Sequence, residues 1–316
     1  MTSEAADRTK PMDPERVMFD LAMNVANQGG FIYVGEDGKA RKWEIKGSGA
    51  RAFNDLFHAL YAKGLLPGLP NSKITGPQDV DKLIGPELIQ VNGEAAPFTN
   101  DRLAVFKEFA SSNAWAKIAS IVDYARQDEN NFTFDFKSVR DIASAFPISF
   151  GQDPLYKKAA LLPILFANNA NTRGKNVTVS GIVAADYRLP QTLHSIGVLD
   201  FSPELVQRIE NEEVMSPDDL MVVQMRAASI YACDLLSKYT GMQINEVDAA
   251  FWKAMKDGSL QPLQEEAVLE AQRQGRKITL KQMLVPTFSF AKIPPIFYPT
   301  VAAGAAAAAR AMLNIV

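Results

Sequence analysis

Cysteine, histidine and charge of one sign are all scarce in this chain of 316 residues, and each scarcity excludes something. A single cysteine, Cys233, cannot close an intramolecular disulfide, which fits a reducing compartment. The two histidines, His58 and His194, stand far apart in sequence, so no metal-ligand cluster can be assembled from spacing and no metal is expected. Formal charge is −3 and no run of five like charges occurs, so bulk electrostatics offer nothing to a long polyanion; a small-molecule ligand is expected rather than direct nucleic-acid binding. No stretch of about 18 apolar residues is present, and the first thirteen residues carry no apolar core of a signal peptide. A cytoplasmic protein without membrane attachment is the expectation. The absence of G-x-G-x-x-G, P-loop and nucleophile-elbow patterns removes support for the usual cofactor classes, so no cofactor is expected.

What is there is helical pattern. Hydrophobic residues make up 47% of the chain, enough for a substantial core. Val17, Leu21 and Val25 share one face from Pro14 to Asn27; Phe53, Leu56, Phe57 and Leu60 share another, and Pro77 leads a short helix. Asn100 is a candidate N-cap for a long helical stretch with a break at Ser111 to Asn113. Stripes follow at Phe136 to Phe146 and at Tyr156 to Phe166, the latter with Pro163 inside it. Ser202-Pro203 and Ser216-Pro217 read as cap-plus-proline helix starts. Val247, Phe251 and Ala254 continue the pattern, and residues 265–274 read as a polar helix before an irregular proline-rich segment at 286–299. The one convincing strand pair is Phe31 to Val34 with Arg41 to Ile45, joined by an Asp37-Gly38 turn. The fold class is therefore mainly α, a single helical domain over 14–300 with a small β-hairpin near its N-terminal third, a tail over 1–13 and an alanine-rich helix over 301–316.

The most informative strip is Ala185-Asp186-Tyr187-Arg188-Leu189-Pro190-Gln191. Pro190 fits the first position of a helix, and Leu189, Leu193 and Ile196 repeat at helical spacing up to Gly197. Asp186 then precedes a helix N-terminus, where the positive end of the helix favours a carboxylate and can receive an anion. Two readings stay open: a capping residue, or a carboxylate that does chemistry.

This strip, followed by Gly197-Val198-Leu199 and Phe201-Ser202, resembles the queuosine salvage protein family, the queuosine 5′-phosphate N-glycosidases. Val139-Arg140, Phe146-Pro147 and Leu155 to Ala159 resemble family segments in the same order, with weaker similarity at Met225 to Ala228 and at Asp248 to Trp252. The resemblance implies a fold like the helix-hairpin-helix DNA glycosylases. It also implies hydrolysis of the N-glycosidic bond of queuosine 5′-monophosphate or a related modified nucleotide, releasing queuine for transfer-RNA modification. A non-catalytic nucleotide- or nucleobase-binding protein on the same scaffold is the alternative. Asp186 is the candidate catalytic carboxylate, since a nearby negative charge stabilises an oxocarbenium-like ribose. Arg188, Lys157 and Lys158 are candidates for the phosphate. Tyr187, Phe31, Tyr33 and Trp252 are candidates to stack on the base, and His194 to donate a proton to it. Four departures from the family pattern stand out: Gly30 to Val34 replaces a polar-aromatic strip, Lys253 follows Trp252 where an acid is usual, Ile293 to Tyr298 stands in place of a basic C-terminal strip, and His194 sits one position off the expected histidine.

Overall fold

The helical spacing of apolar residues is realised as eleven α-helices among the described residues, so the chain is mainly helical. The computed structural model describes residues 11–257, apart from 28–31, 35–39, 43–48 and the single positions 70, 97, 112, 187, 212, 214 and 217. Most of the expected N-terminal tail, the hairpin turn, the polar helix at 265–274, the segment at 286–299 and the alanine-rich helix at 301–316 lie outside the described residues. The described residues form two compact units, one within 11–152 together with 158–179, the other within 153–157 and 180–257. One boundary falls between Lys157 and Lys158, inside the first turn of a helix. Composition has no reason to change there, so the sequence reads as one domain.

In the first unit, helix α1 (Pro14–Ala26) starts where the Asp13 carboxylate accepts the Arg16 N–H at 3.0 Å. Strands β1 (Ile32–Val34) and β2 (Ala40–Lys42) pair antiparallel with Tyr33 opposite Arg41, the hairpin foreseen from the Asp-Gly step. Then come α2 (Gly49–Lys63), α3 (Pro77–Leu83), α4 (Thr99–Ala110), α5 (Ala114–Ala125), α6 (Phe136–Ala145) and α7 (Lys157–Asn171). The break between α4 and α5 lies where it is expected, but Asn100 is not the cap: α4 begins at Thr99 behind Phe98, whose φ of 61° is left-handed. Phe109 links the core, edge-on to Phe19 at 5.8 Å and stacked on Phe146 at 4.8 Å.

A second strand pair corrects the expectation of a single one. Strands β3 (Asn131–Phe134) and β4 (Asn176–Val179) run parallel with Phe132 opposite Val177 and Phe134 opposite Val179. Each strand offers only two buried apolar side chains between Asn and Thr, too weak an alternation to stand out, and the partners lie far apart in sequence. Phe166 on α7 then receives Phe132 and Phe134 edge-on at 5.7 and 5.4 Å.

The second unit holds α8 (Arg188–Ser195), α9 (Pro203–Glu210), α10 (Leu220–Thr240) and α11 (Ile244–Asp257). Leu189, Leu193 and Ile196 of the α8 region pack with Cys233 and Leu236 of α10 and with Val247 and Phe251 of α11. Leu205 and Ile209 of α9 form a smaller cluster with Val222 and Met225. Ser202 caps α9 as expected, accepting the Leu205 N–H at 3.2 Å. Two helix starts differ from expectation. Pro190 sits at the third position of α8 rather than the first, which costs nothing because the N–H groups of a first turn have no intrahelical acceptor. Helix α10 begins at Leu220 with Asp219 as its cap, while the Ser216 hydroxyl bonds Asp218 in the preceding turn. By length and composition α10 could cross a membrane, but its buried face, including Arg226, forms part of this unit's core.

Candidate functional site

Asp186 does the capping job and leaves one oxygen over. Its Oδ1 accepts the Arg188 N–H at 2.8 Å, closing the turn into α8, which is why an aspartate two residues ahead of the helix suits this strip. Its Oδ2 lies 3.9 Å from Lys157 Nζ. The two side chains keep 23% and 26% of their surface, so the pair is loose and within reach of a ligand. A second carboxylate stands close by. Ala184 donates its N–H to Asp248 Oδ2 at 3.2 Å, placing Asp248 of α11 against the same strip. Burial pushes the Asp248 carboxyl up to about 6; the Ala184 N–H and Lys157 oppose the rise, and the charge of Asp186 adds to it. One ammonium and two carboxylates, one of them with its pKa raised to about 6, are an arrangement suited to stabilising a cationic sugar and moving a proton.

Beneath this group lies Arg226, fully buried on α10. It binds the Asp153 carboxylate through both terminal nitrogens at 2.8 and 2.7 Å and the Ala185 carbonyl through Nε at 3.0 Å. Sequence reasoning assigned no role to Asp153, Arg226 or Asp248. A signal existed for the arginine: Val222, Arg226, Ser229 and Cys233 recur at three- and four-residue steps, putting a charge on the core stripe of an apolar helix, which demands a buried partner. Asp153 carried no such signal, because Gly151-Gln152-Asp153-Pro154 reads as an ordinary turn.

The other candidate residues separate. Lys158 belongs to the first unit, where its ammonium donates to the Ala26 carbonyl at 2.7 Å. Arg188 is exposed at the first position of α8. His194 stacks on Phe201 with centroids 4.2 Å apart, and its Nδ1 donates to the Leu199 carbonyl at 2.9 Å, so its described contacts close the turn after α8. Trp252 is 51% exposed on α11. Tyr187 and Phe31 lie outside the described residues, as does the side chain of Tyr33. Among the described residues no group of three or more His, Cys, Asp and Glu is placed to hold a metal ion.

Comparison with known proteins bears on this strip. The queuosine salvage protein family matches residues 130–274. The chain is 29% identical over 117 residues to a queuosine 5′-phosphate N-glycosylase/hydrolase of Sphaerobacter thermophilus, a match covering 36% of this chain and 35% of that protein. It is 32% identical over 76 residues to a protein of the same name from Schizosaccharomyces pombe, covering 23% and 22%. The chain thus matches only between about a fifth and about a third of the length of these relatives. Residues 130–274, which carry Asp153, Lys157, Asp186, Arg226 and Asp248, are thus similar to the queuosine salvage protein family, a match that supports a remote relationship to it.

Proposed function

We propose that this protein hydrolyses the N-glycosidic bond of queuosine 5′-monophosphate or a closely related modified nucleotide, freeing queuine for reuse. The observation that carries the reading is the Asp186 carboxylate, held at the α8 N-terminus with one oxygen facing Lys157 at 3.9 Å, inside the stretch that matches the family. As the bond between C1′ and the base nitrogen breaks, the base takes the electron pair and the ribose becomes cationic. Asp186 stabilises that charge, and a water oxygen then bonds C1′ while its proton passes to a carboxylate. Asp248, raised to about 6 and still largely ionised at pH 7, is suited to accept that proton and pass it to the departing base. Lys157 and Arg188 flank Asp186 and supply positive charge for the 5′-phosphate, and exposed Trp252 offers a face on which a base can stack. His194 and Lys158 have their described contacts elsewhere, and this reading assigns them no part in the reaction. Resemblance to helix-hairpin-helix glycosylases and a cytoplasmic location belong to the same proposal.

The test is incubation with queuosine 5′-monophosphate and a panel of other nucleoside monophosphates, following free base by chromatography, with Asp186→Asn in parallel. Queuine release that disappears in the variant is expected. Release that persists in Asp186→Asn removes the catalytic role. No release from any substrate, with the nucleotide still raising Tm, replaces hydrolysis by nucleotide binding on the same scaffold.

A further inference from the structure

Arg226 keeps 0% of its side-chain surface, and all three of its described hydrogen-bond directions end on the framework of the site. On one side Nε holds the carbonyl of Ala185, the residue immediately before Asp186. On the other, the two terminal nitrogens grip both oxygens of Asp153. Asp153 in turn accepts the backbone N–H of Leu155 at 3.2 Å and of Lys157 at 2.7 Å. Burial works against the charge on Asp153, yet the Arg226 guanidinium and these amides hold its carboxyl below the usual carboxylate range. Between Asp153 and Lys157 the chain passes through Tyr156 at φ 54°, a left-handed conformation that a bulky residue keeps only where its surroundings impose it.

A buried ion pair of this kind adds little net stability over well-packed apolar side chains, so stability alone does not account for it. Its geometry does something apolar packing cannot: a planar guanidinium sets three bonds in fixed directions, one to the Ala185 carbonyl beside Asp186 and two to the Asp153 carboxylate, which itself accepts the Lys157 backbone N–H. We infer that Arg226 and Asp153 are positioning residues that set the separation of Lys157 and Asp186 at which the two act on the substrate. This rests on the proposed roles of Lys157 and Asp186.

The decisive variants are Arg226→Lys, which keeps the charge and loses the fork, and Asp153→Asn, which keeps the shape and loses the charge. Base release is measured per folded molecule, with kcat and KM separated. A drop in kcat of about 10- to 100-fold with KM nearly unchanged is expected for a site displaced by a fraction of an ångström to about 1 Å. Leu205→Ala, in the α9 cluster, serves as the control for stability loss: it should lower Tm and leave kcat per folded molecule intact. If both positioning variants behave like Leu205→Ala, the inference is overturned; if Arg226→Lys does not fold, Asp153→Asn decides. Should the wild-type protein release no base, the proposed function fails, and positioning is judged by crystal structures of wild type and Asp153→Asn. Separation of Lys157 Nζ and Asp186 beyond ion-pair reach in the variant supports it, and an unchanged separation overturns it.

Discussion

At the C-terminal end of α1, Lys158 and Arg102 finish on backbone carbonyls, those of Ala26 and Asn27; before α8, Lys157 and Arg226 finish on carboxylates, those of Asp186 and Asp153. Both regions spend one lysine and one arginine. At α1 the two cations meet the negative end of a helix that has no basic residue in its own last turn, so charge brought from α7 and α4 does the capping. Burial lowers the Arg102 pKa to about 10, with Asp101 working the other way, and its described partner is a neutral carbonyl 2.6 Å away. At α8 the cations face ionisable groups that a ligand can displace or protonate. Adjacent lysines of identical chemistry thus have different work, because successive helical residues point about 100° apart.

Three substitutions with the largest expected effects sharpen or break that contrast. Asp186→Asn should lower base release by about 10³-fold, measured by chromatography at saturating nucleotide; loss of less than tenfold would make Asp186 a cap only. Arg226→Ala should destabilise by about 3–5 kcal/mol, because it removes a fully buried side chain and takes the guanidinium from a carboxylate that keeps only 21% of its surface. Arg102→Ala should cost about 1–3 kcal/mol, because the Asn27 carbonyl loses its donor. Urea denaturation compares the two, and equal costs would erase the distinction between the regions.

Next in size is the lysine exchange. Lys157→Met should reduce turnover by about 10²-fold and change stability by less than about 1 kcal/mol, as a partly exposed pair contributes little. Lys158→Met should do the reverse, costing about 1 kcal/mol at the α1 terminus and leaving turnover intact. A further expected effect concerns pH. The folded-state pKa of Asp248, about 6, lies above its unfolded value near 3.9, so the folded protein binds the proton more tightly. The group therefore opposes folding at pH 7, and that penalty is relieved as pH falls from about 6 to about 4. Asp248→Asn should raise stability at pH 7 by at most about 3 kcal/mol, with the gain over wild type shrinking to nothing near pH 4. A gain independent of pH would assign it to packing instead.

Helix positions were legible because α1, α2, α6 and α9 keep one apolar face and strong starts, as Asp13-Pro14 and Ser202-Pro203 do. The hairpin was legible from its turn chemistry alone. Strands β3 and β4 were not, since each offers two apolar positions and a partner some 45 residues away, as in Asn131 opposite Asn176. At the site, Asp186 and its helix stood out because the strip is local, with the carboxylate, the guanidinium and the helix start within five residues.

By itself the sequence determined a mainly helical chain, an N-terminal hairpin and a carboxylate poised at a helix start, because each of these is written in spacings of four residues or fewer. Tertiary structure alone decided that Lys157 rather than Lys158 meets Asp186, that Asp248 is brought against Ala184 from 64 positions away, and that Arg226 ties Asp153 to Ala185. Those choices depend on burial and on which helix faces pack together. A buried charge announces that it needs a partner, but only the packed unit supplies the partner's address.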